Sequence, residues 1–435
     1  MPDKQITKYL DHYAETEAAL AADLFLALFT ELEPHETYEH CLVIPARREN
    51  WVEIKQNWQH LTSSMLVVLV VNTSDQEDWA TQKLLEDTTS TSIAQTGNLY
   101  LSRLNSFIDC LVVDRTSTGH QFSSQDGVGL ARKIGADIAL TLISQGVIRN
   151  SYINNTDADA VLPSTYFDLA VPENVSAIVR PFSHISRSKS QNDDQRKAHH
   201  QAVLLYEISL RYYVNRLAHA NSPYAFHTIG STISVNARDY ALVRGTPRRL
   251  AGEDFYLLNK LAKTGNIYST RGDPIILDAR ISHRTPFGTG SSIDRILSLE
   301  NPLTDYLYYQ PNVFEQLKTL LRKLPLCWPQ TEMEEVFTNE PYLKDWGLST
   351  GAFMVIAKQR ERIKTESVFL KFLNDWLDGF RTLKFIHFMR DNYFPSKPIG
   401  WICLQTVDFG TQSVEGIVAL EKIQQTLLIS DLEAL

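Results

Sequence analysis

Two aspartates, Asp157 and Asp159, stand two residues apart in the sequence. On an extended chain both side chains point to the same face. Two carboxylates about 4 Å apart repel each other by about 1–4 kcal/mol, depending on the effective dielectric. A divalent cation removes that cost, and Mg²⁺ or Mn²⁺ suits carboxylates that share the ion with substrate phosphates. The pair predicts a metal site, and the alternative is a solvated turn that carries two acids.

A second acidic pair follows a glycine later in the chain, in Gly252-Glu253-Asp254. A carboxylate held beside a hydroxyl group can take its proton as the hydroxyl attacks. The same two acids also stand at the start of a predicted helix, where negative charge complements the helix dipole. Both interpretations, a general base and a helix-start acid, stay open at this point.

Short apolar runs bounded by turn residues predict the strands that must position these acids. They cover residues 41–44, 65–71, 110–113 and 152–156, the last weakened by two asparagines. Helical patterns alternate with the runs, which predicts βαβ units and an open α/β sheet. In such sheets ligands bind beyond the carboxyl ends of the strands. Four residues fall at those ends: Pro45, Asn72, Asp114 and Asp157.

Helical periodicity predicts the remaining organisation of the chain. Helices are expected at residues 7–29, 126–146 and 201–218, and a polar loop at residues 184–200. After about residue 295 helical patterns dominate. We therefore predict an N-terminal helix over residues 1–37, an α/β domain over 38–299 and a helical C-terminal region over 300–435.

Composition excludes several classes of protein. The 42 basic and 51 acidic residues give a formal charge of -9, which argues against a nucleic-acid partner. Four cysteines without CxxC spacing argue against a zinc site or a disulfide framework and fit a reducing compartment. The first residues form no apolar signal segment, and the run 65–71 is far shorter than the ~20 residues that span a bilayer. We expect a cytoplasmic protein without a transmembrane segment.

Four motifs occur in the order in which a known family carries them: CLVIPARREN, DGVGLARKIGADIA, NTDADAVLPSTYF and LAGEDFYLLNKLAKTG. Together they resemble glycosyltransferase family 2 and its GT-A-fold relatives, over roughly residues 38–295. The resemblance implies an α/β fold with a GT-A-like nucleotide-sugar-binding domain. Its mostly parallel central sheet would be flanked by helices and followed by the α-helical C-terminal region.

The resemblance also implies a nucleotide site, position by position. The matched residues are Pro45, Ala46, Arg47 and Glu49 for the base and ribose, Asn72 and Asp114 after the next two strands, and Arg132 near the diphosphate. Asn72 departs from the family, whose members usually carry an acid there. Lys133 replaces the asparagine that usually follows the helix arginine.

The metal and the catalytic groups are implied in the same way. Asp159 matches the more direct ligand of Mn²⁺ or Mg²⁺, and Asp157 matches a group that binds the ribose or, through water, the metal. Asp254, with Glu253 beside it, matches the general base of inverting members. His283 lies 29 residues after Asp254 and matches a third metal ligand of some GT-A enzymes. An ordinary loop histidine is the alternative.

The implied function is transfer of a sugar, of the hexosyltransferase type, from a UDP- or GDP-sugar to a hydroxyl-bearing acceptor. His283 favours a retaining reaction and the Glu253-Asp254 pair an inverting one, so the stereochemistry stays open. The alternatives are a nucleotidyltransferase on a similar sheet and a non-catalytic nucleotide-sugar-binding module. A homodimer, if one forms, is expected to use the helical C-terminal region.

Overall fold

The computed structural model describes residues 3–31, 37–75, 77–187, 191–282, 288–328, 332–405, 414 and 416–433. They divide into two compact units. The first lies within residues 1–185, 228–278 and 283–288, and the second within 186–227, 279–282 and 289–435.

The strands, in chain order, are β1 (His40–Ala46), β2 (Met65–Asn72), β3 (Ala94–Thr96), β4 (Leu99–Arg103), β5 (Ile108–Arg115), β6 (Tyr152–Asn155), β7 (Val175–Val179), β8 (Phe182–Ile185), β9 (Ile233–Asn236), β10 (Asn266–Ser269), β11 (Ile275–Asp278), β12 (Leu307–Tyr308) and β13 (Lys397–Pro398). The four predicted strands are confirmed as β1, β2, β5 and β6. Each is an apolar or buried run, and β2 is buried along its whole length.

The helices are α1 (Lys4–His12), α2 (Thr16–Glu31), α3 (Trp51–Gln56), α4 (Trp79–Thr89), α5 (Val128–Ser144), α6 (Asp193–His219), α7 (Ala237–Leu242), α8 (Glu253–Leu261), α9 (Thr289–Leu297), α10 (Pro302–Asp305), α11 (Pro311–Lys323), α12 (Met333–Val336), α13 (Pro341–Ser349), α14 (Ala352–Arg360), α15 (Glu366–Trp376), α16 (Gly379–Asn392), α17 (Ile399–Gln405) and α18 (Ile417–Glu433). Short 3₁₀ turns lie at Gly230–Thr232 and Leu324–Cys327. The α/β class is confirmed.

A nine-stranded sheet with the order β10-β7-β9-β6-β1-β2-β5-β4-β3 forms the centre of the first unit. Strands β6, β1, β2 and β5 are mutually parallel, whereas β9 runs antiparallel between β6 and β7, and β4 runs antiparallel to β5 and β3. The prediction of a mostly parallel sheet is therefore wrong, and the sheet is mixed. Short turns connect β3 to β4 and β4 to β5. Connections this short join antiparallel strands, because parallel strands need a long crossover.

Helix α5 covers the parallel strands and carries a close contact that the sequence did not predict. Gly135 faces β1, and a Cβ at that position would lie 2.4 Å from Cγ1 of Val43. The helix packs on both β1 and β2. The absence of a side chain at Gly135 therefore sets how closely α5, and every side chain on its first turns, approaches the sheet.

The amino-terminal segment belongs to the first unit and is not a separate region. The single helix expected over residues 7–29 is two helices, α1 and α2, interrupted after His12. α1 packs on α7, and α2 packs on α5. The segment is therefore an integral part of the α/β unit.

The second unit is helical and begins earlier than predicted. α6 starts at Asp193, inside the expected loop, because the side chain of Asn192 accepts hydrogen bonds from the backbone N–H groups of Asp194 and Gln195 and caps the helix. α6 packs against α9, α11 and α18. The buried core of this unit includes Phe314 and Phe369. Among the helices described, none has both the length and the apolar character that crossing a membrane requires.

Candidate active site

Arg132, on the second turn of α5, joins residues that are far apart in the sequence. Its Nη2 lies 2.5 Å from Oδ1 of Asp157, and its Nε lies 2.9 Å from Oε1 of Glu253. Its Nη1 donates to the backbone oxygen of Gly230 at 3.0 Å. Arg132 is only 5% exposed. The arginine and the two acidic motifs thus meet at one point, where one guanidinium group is held from three sides.

The guanidinium group of Arg132 sits against a glycine for a steric reason. A Cβ at Gly230 would lie 2.6 Å from Nη2 and 2.8 Å from Cζ of Arg132. Gly230 belongs to the 3₁₀ turn that leads into β9, beside the end of β6. The glycine therefore makes room for the arginine beside Asp157. Sequence patterns gave no signal for it, because the contact joins residues 98 positions apart.

The two aspartates lie on a tight turn after β6, and the extended conformation expected from the sequence is wrong. The N–H of Ala160 donates to the backbone oxygen of Asp157 at 3.2 Å, which closes the turn. The side-chain amide of Asn57 donates to the oxygen of Ala158 at 2.8 Å and holds the turn from below. Asp157 and Asp159 are half-buried, whereas Ala158 and Ala160 are buried. The turn thus keeps both acidic side chains partly accessible.

Glu253 and Asp254 begin α8, as predicted, and differ in their surroundings. Glu253 is 3% exposed, and burial raises the pKa of its carboxyl group although Arg132 is beside it. Asp254 accepts a hydrogen bond from the N–H of Phe255 at 2.7 Å. Burial, then the charge of Glu253, raises the pKa of Asp254 to about 7. Asp254 therefore exchanges its proton near neutral pH, which suits a group that takes a proton from a hydroxyl.

Among the described residues, the charges around Arg132 do not balance. Burial works to lower the pKa of Arg132, but the charges of Asp157, Glu253 and Asp254 outweigh it and raise that pKa. One cation therefore faces three carboxyl groups, two of them only partly buried. Such a cluster favours a further positive charge.

The residues expected to bind the nucleotide base follow β1 and β2. Pro45, Arg47 and Glu49 are half-buried, and Ala46 is buried. Asn72 is 8% exposed, and its side-chain amide donates to the backbone oxygens of Val70 at 3.2 Å and Ala46 at 3.4 Å. The amide group of Asn72 thus ties the end of β2 to the end of β1. An acid at that position would have no proton to donate to these oxygens.

Asp78 organises the same edge of the sheet, although the sequence did not single it out. Its buried carboxylate accepts hydrogen bonds from Nε of Arg47 at 3.2 Å, from Nε of Arg48 at 2.9 Å and from the hydroxyl of Thr73 at 3.1 Å. Burial works to raise the pKa of Asp78, but the bonds from Arg48 and Arg47 outweigh it and lower that pKa. The only sequence signal is its position directly before Trp79, where an aspartate caps a helix.

Asp114 is the last residue but one of β5, one position inside the end that the sequence predicted, and its carboxylate binds the local backbone. Oδ1 accepts hydrogen bonds from the N–H and the hydroxyl of Thr116 at 2.8 and 2.9 Å, and from the N–H of Ser117 at 3.0 Å. The residue is 3% exposed. Its assignment to nucleotide contact stays a prediction, since Oδ1 is occupied by this turn.

His283, the expected third metal ligand, lies outside the described residues. Across the positions that are described, no three histidine, cysteine, aspartate or glutamate side chains come together as a group that could hold a metal ion. Asp157 and Asp159 therefore stand as a pair of carboxylates on one turn.

No protein-family model matches the chain, and no curated protein matches it.

Proposed function

We propose that this chain is a metal-dependent glycosyltransferase that moves a sugar from a nucleotide-diphosphate sugar to a hydroxyl acceptor, on a GT-A-like domain. The observation that carries the proposal is the contact of Arg132 with both Asp157 and Glu253. These three residues come from three separate motifs of the family resemblance. Their convergence is what one shared donor site requires.

The position of the cluster in the sheet supports a binding site. β1, β2, β5 and β6 are parallel, so their carboxyl ends meet at one edge. Asp157 follows β6 at that edge, and Arg47 follows β1. Ligands of open α/β sheets bind at such an edge. A nucleotide-diphosphate would lie between these two points.

The residues present fit a cation shared with a diphosphate better than an all-protein metal site. Mg²⁺ is usually bound by one or two carboxylates together with substrate phosphates. The half-buried Asp157 and Asp159 supply such a pair, beside a cluster with excess negative charge. When bound, Mn²⁺ or Mg²⁺ would neutralise the diphosphate as it leaves. The resemblance assigns the more direct contact to Asp159, and Asp157 holds Arg132 through its Oδ1.

Asp254 is the proposed general base. Its pKa of about 7 leaves a substantial fraction of the carboxyl group ionised at neutral pH, ready to accept the proton of the acceptor hydroxyl. The hydroxyl oxygen then attacks the anomeric carbon, the bond to the diphosphate oxygen breaks, and the bonding pair leaves with the nucleoside diphosphate. This assignment corresponds to an inverting reaction.

Glu253 has a different proposed role from its neighbour. Its carboxylate is buried and bonded to Nε of Arg132, so it is not accessible to an acceptor. It fixes the guanidinium group, which in turn holds Asp157. We therefore propose that Glu253 is a positioning residue, although the sequence grouped it with Asp254 as catalytic.

A binding panel tests the proposal directly. Thermal unfolding would be followed with UDP-, GDP- and ADP-sugars in Mn²⁺, and again after a chelator is added. A ligand present at 100 times its Kd stabilises a fold by about 2.7 kcal/mol. We expect stabilisation by one class of nucleotide-sugar, lost with the chelator and lost in Asp159→Ala. Absence of any metal-dependent shift contradicts the proposal. A shift without transfer to any acceptor identifies a binding module.

A further inference from the structure

Lys133 follows Arg132 on α5 and is the centre of a buried polar cluster. The amino-terminal segment and α5 form this cluster together. The Nζ of Lys133 is 2.6 Å from Oδ2 of Asp137, 2.8 Å from the hydroxyl oxygen of Tyr9 and 2.8 Å from the backbone oxygen of Tyr13. Lys133 is 6% exposed and Asp137 fully buried. The three donors of the ammonium group therefore each have an acceptor, two of them from residues of the amino-terminal segment.

The carboxylate of Asp137 is equally well satisfied. Besides Lys133, it accepts hydrogen bonds from the hydroxyls of Tyr9 at 2.7 Å and Tyr240 at 2.8 Å, and from the N–H of Glu15 at 2.9 Å. The two tyrosine rings meet edge to face. The hydrogen-bonding groups of Lys133 and Asp137 are thus occupied by bonds within the protein. Their role is structural, because these bonds attach the segment between α1 and α2 to α5.

That fixed segment in turn holds a loop of the proposed active site. The guanidinium group of Arg248 contacts the carboxylate of Glu15, with Nε 3.0 Å and Nη2 2.5 Å from Oε1. Glu15 has only 9% of its side chain exposed. The loop of Arg248 joins α7 to α8 and leads directly into Glu253 and Asp254.

The same loop is pressed against the first turn of α5 from the other side. The N–H of Gly129 donates to the backbone oxygen of Arg249 at 3.1 Å. A Cβ at Gly129 would lie 2.6 Å from the oxygens of Arg249 and Pro247. Arg249 also stacks on the ring of Tyr256 in α8, with 3.8 Å between its Cζ and the ring centroid. The loop thus has attachments to α5, to α8 and, through Arg248, to the amino-terminal segment.

We propose that the amino-terminal helices position the Glu253-Asp254 pair, by clamping the loop of residues 243–252 through the Glu15–Arg248 ion pair. Glu15 and Arg248 are positioning residues in this proposal, which rests on the proposed function only for its catalytic readout. Glu253 must reach Arg132 within hydrogen-bonding distance, and Asp254 follows it directly. A misplacement of about 1 Å near a reacting group can lower a rate about 100-fold.

The test uses Glu15→Gln, Arg248→Gln and the double variant in the full chain. Each single variant should lower kcat about tenfold, change the donor KM less than twofold and shift the pH at which activity is half-maximal. The double variant should be no worse than Glu15→Gln, since that change alone removes the pair with Arg248 together with the 3.5 Å pair of Glu15 with Lys133. Amide hydrogen exchange should become faster at residues 243–256.

Arg238→Gln is the matched control, because Arg238 also pairs with the amino-terminal segment, through Asp3 at 3.0 Å, but from α7. It should leave kcat, the pH profile and exchange at 243–256 unchanged. Equal exchange at these residues in Arg248→Gln and Arg238→Gln overturns the clamp. If the wild-type protein has no transferase activity, the proposed function fails, and exchange alone decides the clamp. Faster exchange with unaltered kcat and pH profile also overturns the positioning role.

Discussion

Two charged clusters stand on adjacent residues of α5 and differ in almost every other respect. Around Lys133, one cation is enclosed by the carboxylates of Asp137 and Glu15, two tyrosine hydroxyls and backbone groups. Around Arg132, in the part of the chain that the structure describes, one cation faces three carboxyl groups, and Asp157 has 39% of its side chain exposed. Consecutive residues of a helix point to different faces. The same helix therefore supports a closed cluster on one face and an open one on another.

The two clusters differ in the role that we expect of them, one in stability and the other in chemistry. A buried ion pair with every donor and acceptor satisfied holds elements together, and removing one partner leaves an uncompensated charge. A cluster with excess negative charge and a carboxyl group that titrates near neutrality is suited to binding cations and moving protons. Changes in the open cluster around Arg132 should mainly affect activity. Changes in the closed cluster around Lys133 should mainly affect folding.

The largest effect is expected from Asp254→Asn on the open side. Loss of the proposed base should lower kcat about 10²–10⁴-fold, measured from initial rates with the donor and acceptor that the binding panel identifies. Binding of the nucleotide-sugar should persist in thermal unfolding. Asp194→Asn, which also removes an acid from the first turn of a helix, should keep wild-type activity. A kcat within threefold of wild type for Asp254→Asn removes the base assignment.

Lys133→Met tests the closed side. It leaves Asp137 buried without its counter-charge, and the free energy of unfolding should fall by about 3–5 kcal/mol in chemical denaturation. Lys83→Met is the control, because Lys83 forms an exposed pair with Asp87 at 2.7 Å. That control should change the free energy by less than about 1 kcal/mol. Similar values for the two variants would mean that the closed cluster does not hold the fold.

Gly230→Ala probes how strictly the open cluster is arranged. The new methyl group must displace the guanidinium group of Arg132, and with it Asp157. We expect the Kd for nucleotide-sugar with Mn²⁺ to rise about tenfold, or about 1.4 kcal/mol, by calorimetric titration. Gly400→Ala, whose Cβ would meet no atom within 4 Å, should leave it unaltered. Unaltered affinity in Gly230→Ala would show that the position of Arg132 is unimportant for the donor.

The smallest effect concerns pH. Because the base must be ionised, kcat should rise with pH through about 7, and should fall about fivefold from pH 7 to pH 6. The folded-state pKa of Asp254 lies above its ordinary value of 3.8, so the folded state binds this proton more tightly than the unfolded chain does. Its contribution to stability should therefore decline as pH rises from about 4 to 7. Asp254→Asn should abolish that decline in denaturation measured across this range, and a profile identical to wild type would contradict the raised pKa.

The sequence predicted those parts of the fold whose signal is local. β1, β2 and β5 are apolar runs, and each was found within a few residues of its observed ends. β7 to β11 are four or five residues long, and their pairing partners are distant in sequence. Periodicity is a weak signal in such short segments, and of the four-residue strands only β6 was predicted. For the same reason the mixed direction of the sheet was missed, since direction depends on which strands become neighbours.

Residues of the candidate site could be predicted when they belong to a sequence motif. Residues that matter only through a long-range contact could not. Arg132, Asp157 and Glu253 were all assigned from motifs, and they are in contact. Asn57 supports the acidic turn from 101 positions away, and Gly230 makes room for the arginine from 98 positions away. Such contacts depend on the completed sheet and leave no local pattern.

The order of the strands has a consequence for how the chain is made. β9 is the strand that joins β7 to β6, yet it follows the whole of α6 in the sequence. During synthesis, β1 to β8 therefore leave the ribosome before β9 can connect β7 to β6 in the sheet. In the same way α6 leaves the ribosome before α9 and α18, the helices that pack on it. Open strand edges and uncovered apolar helices are the surfaces on which nascent chains aggregate. Because its two units are interleaved along the chain, the second begins before the first is complete, and α6 waits for α18 until synthesis is nearly finished.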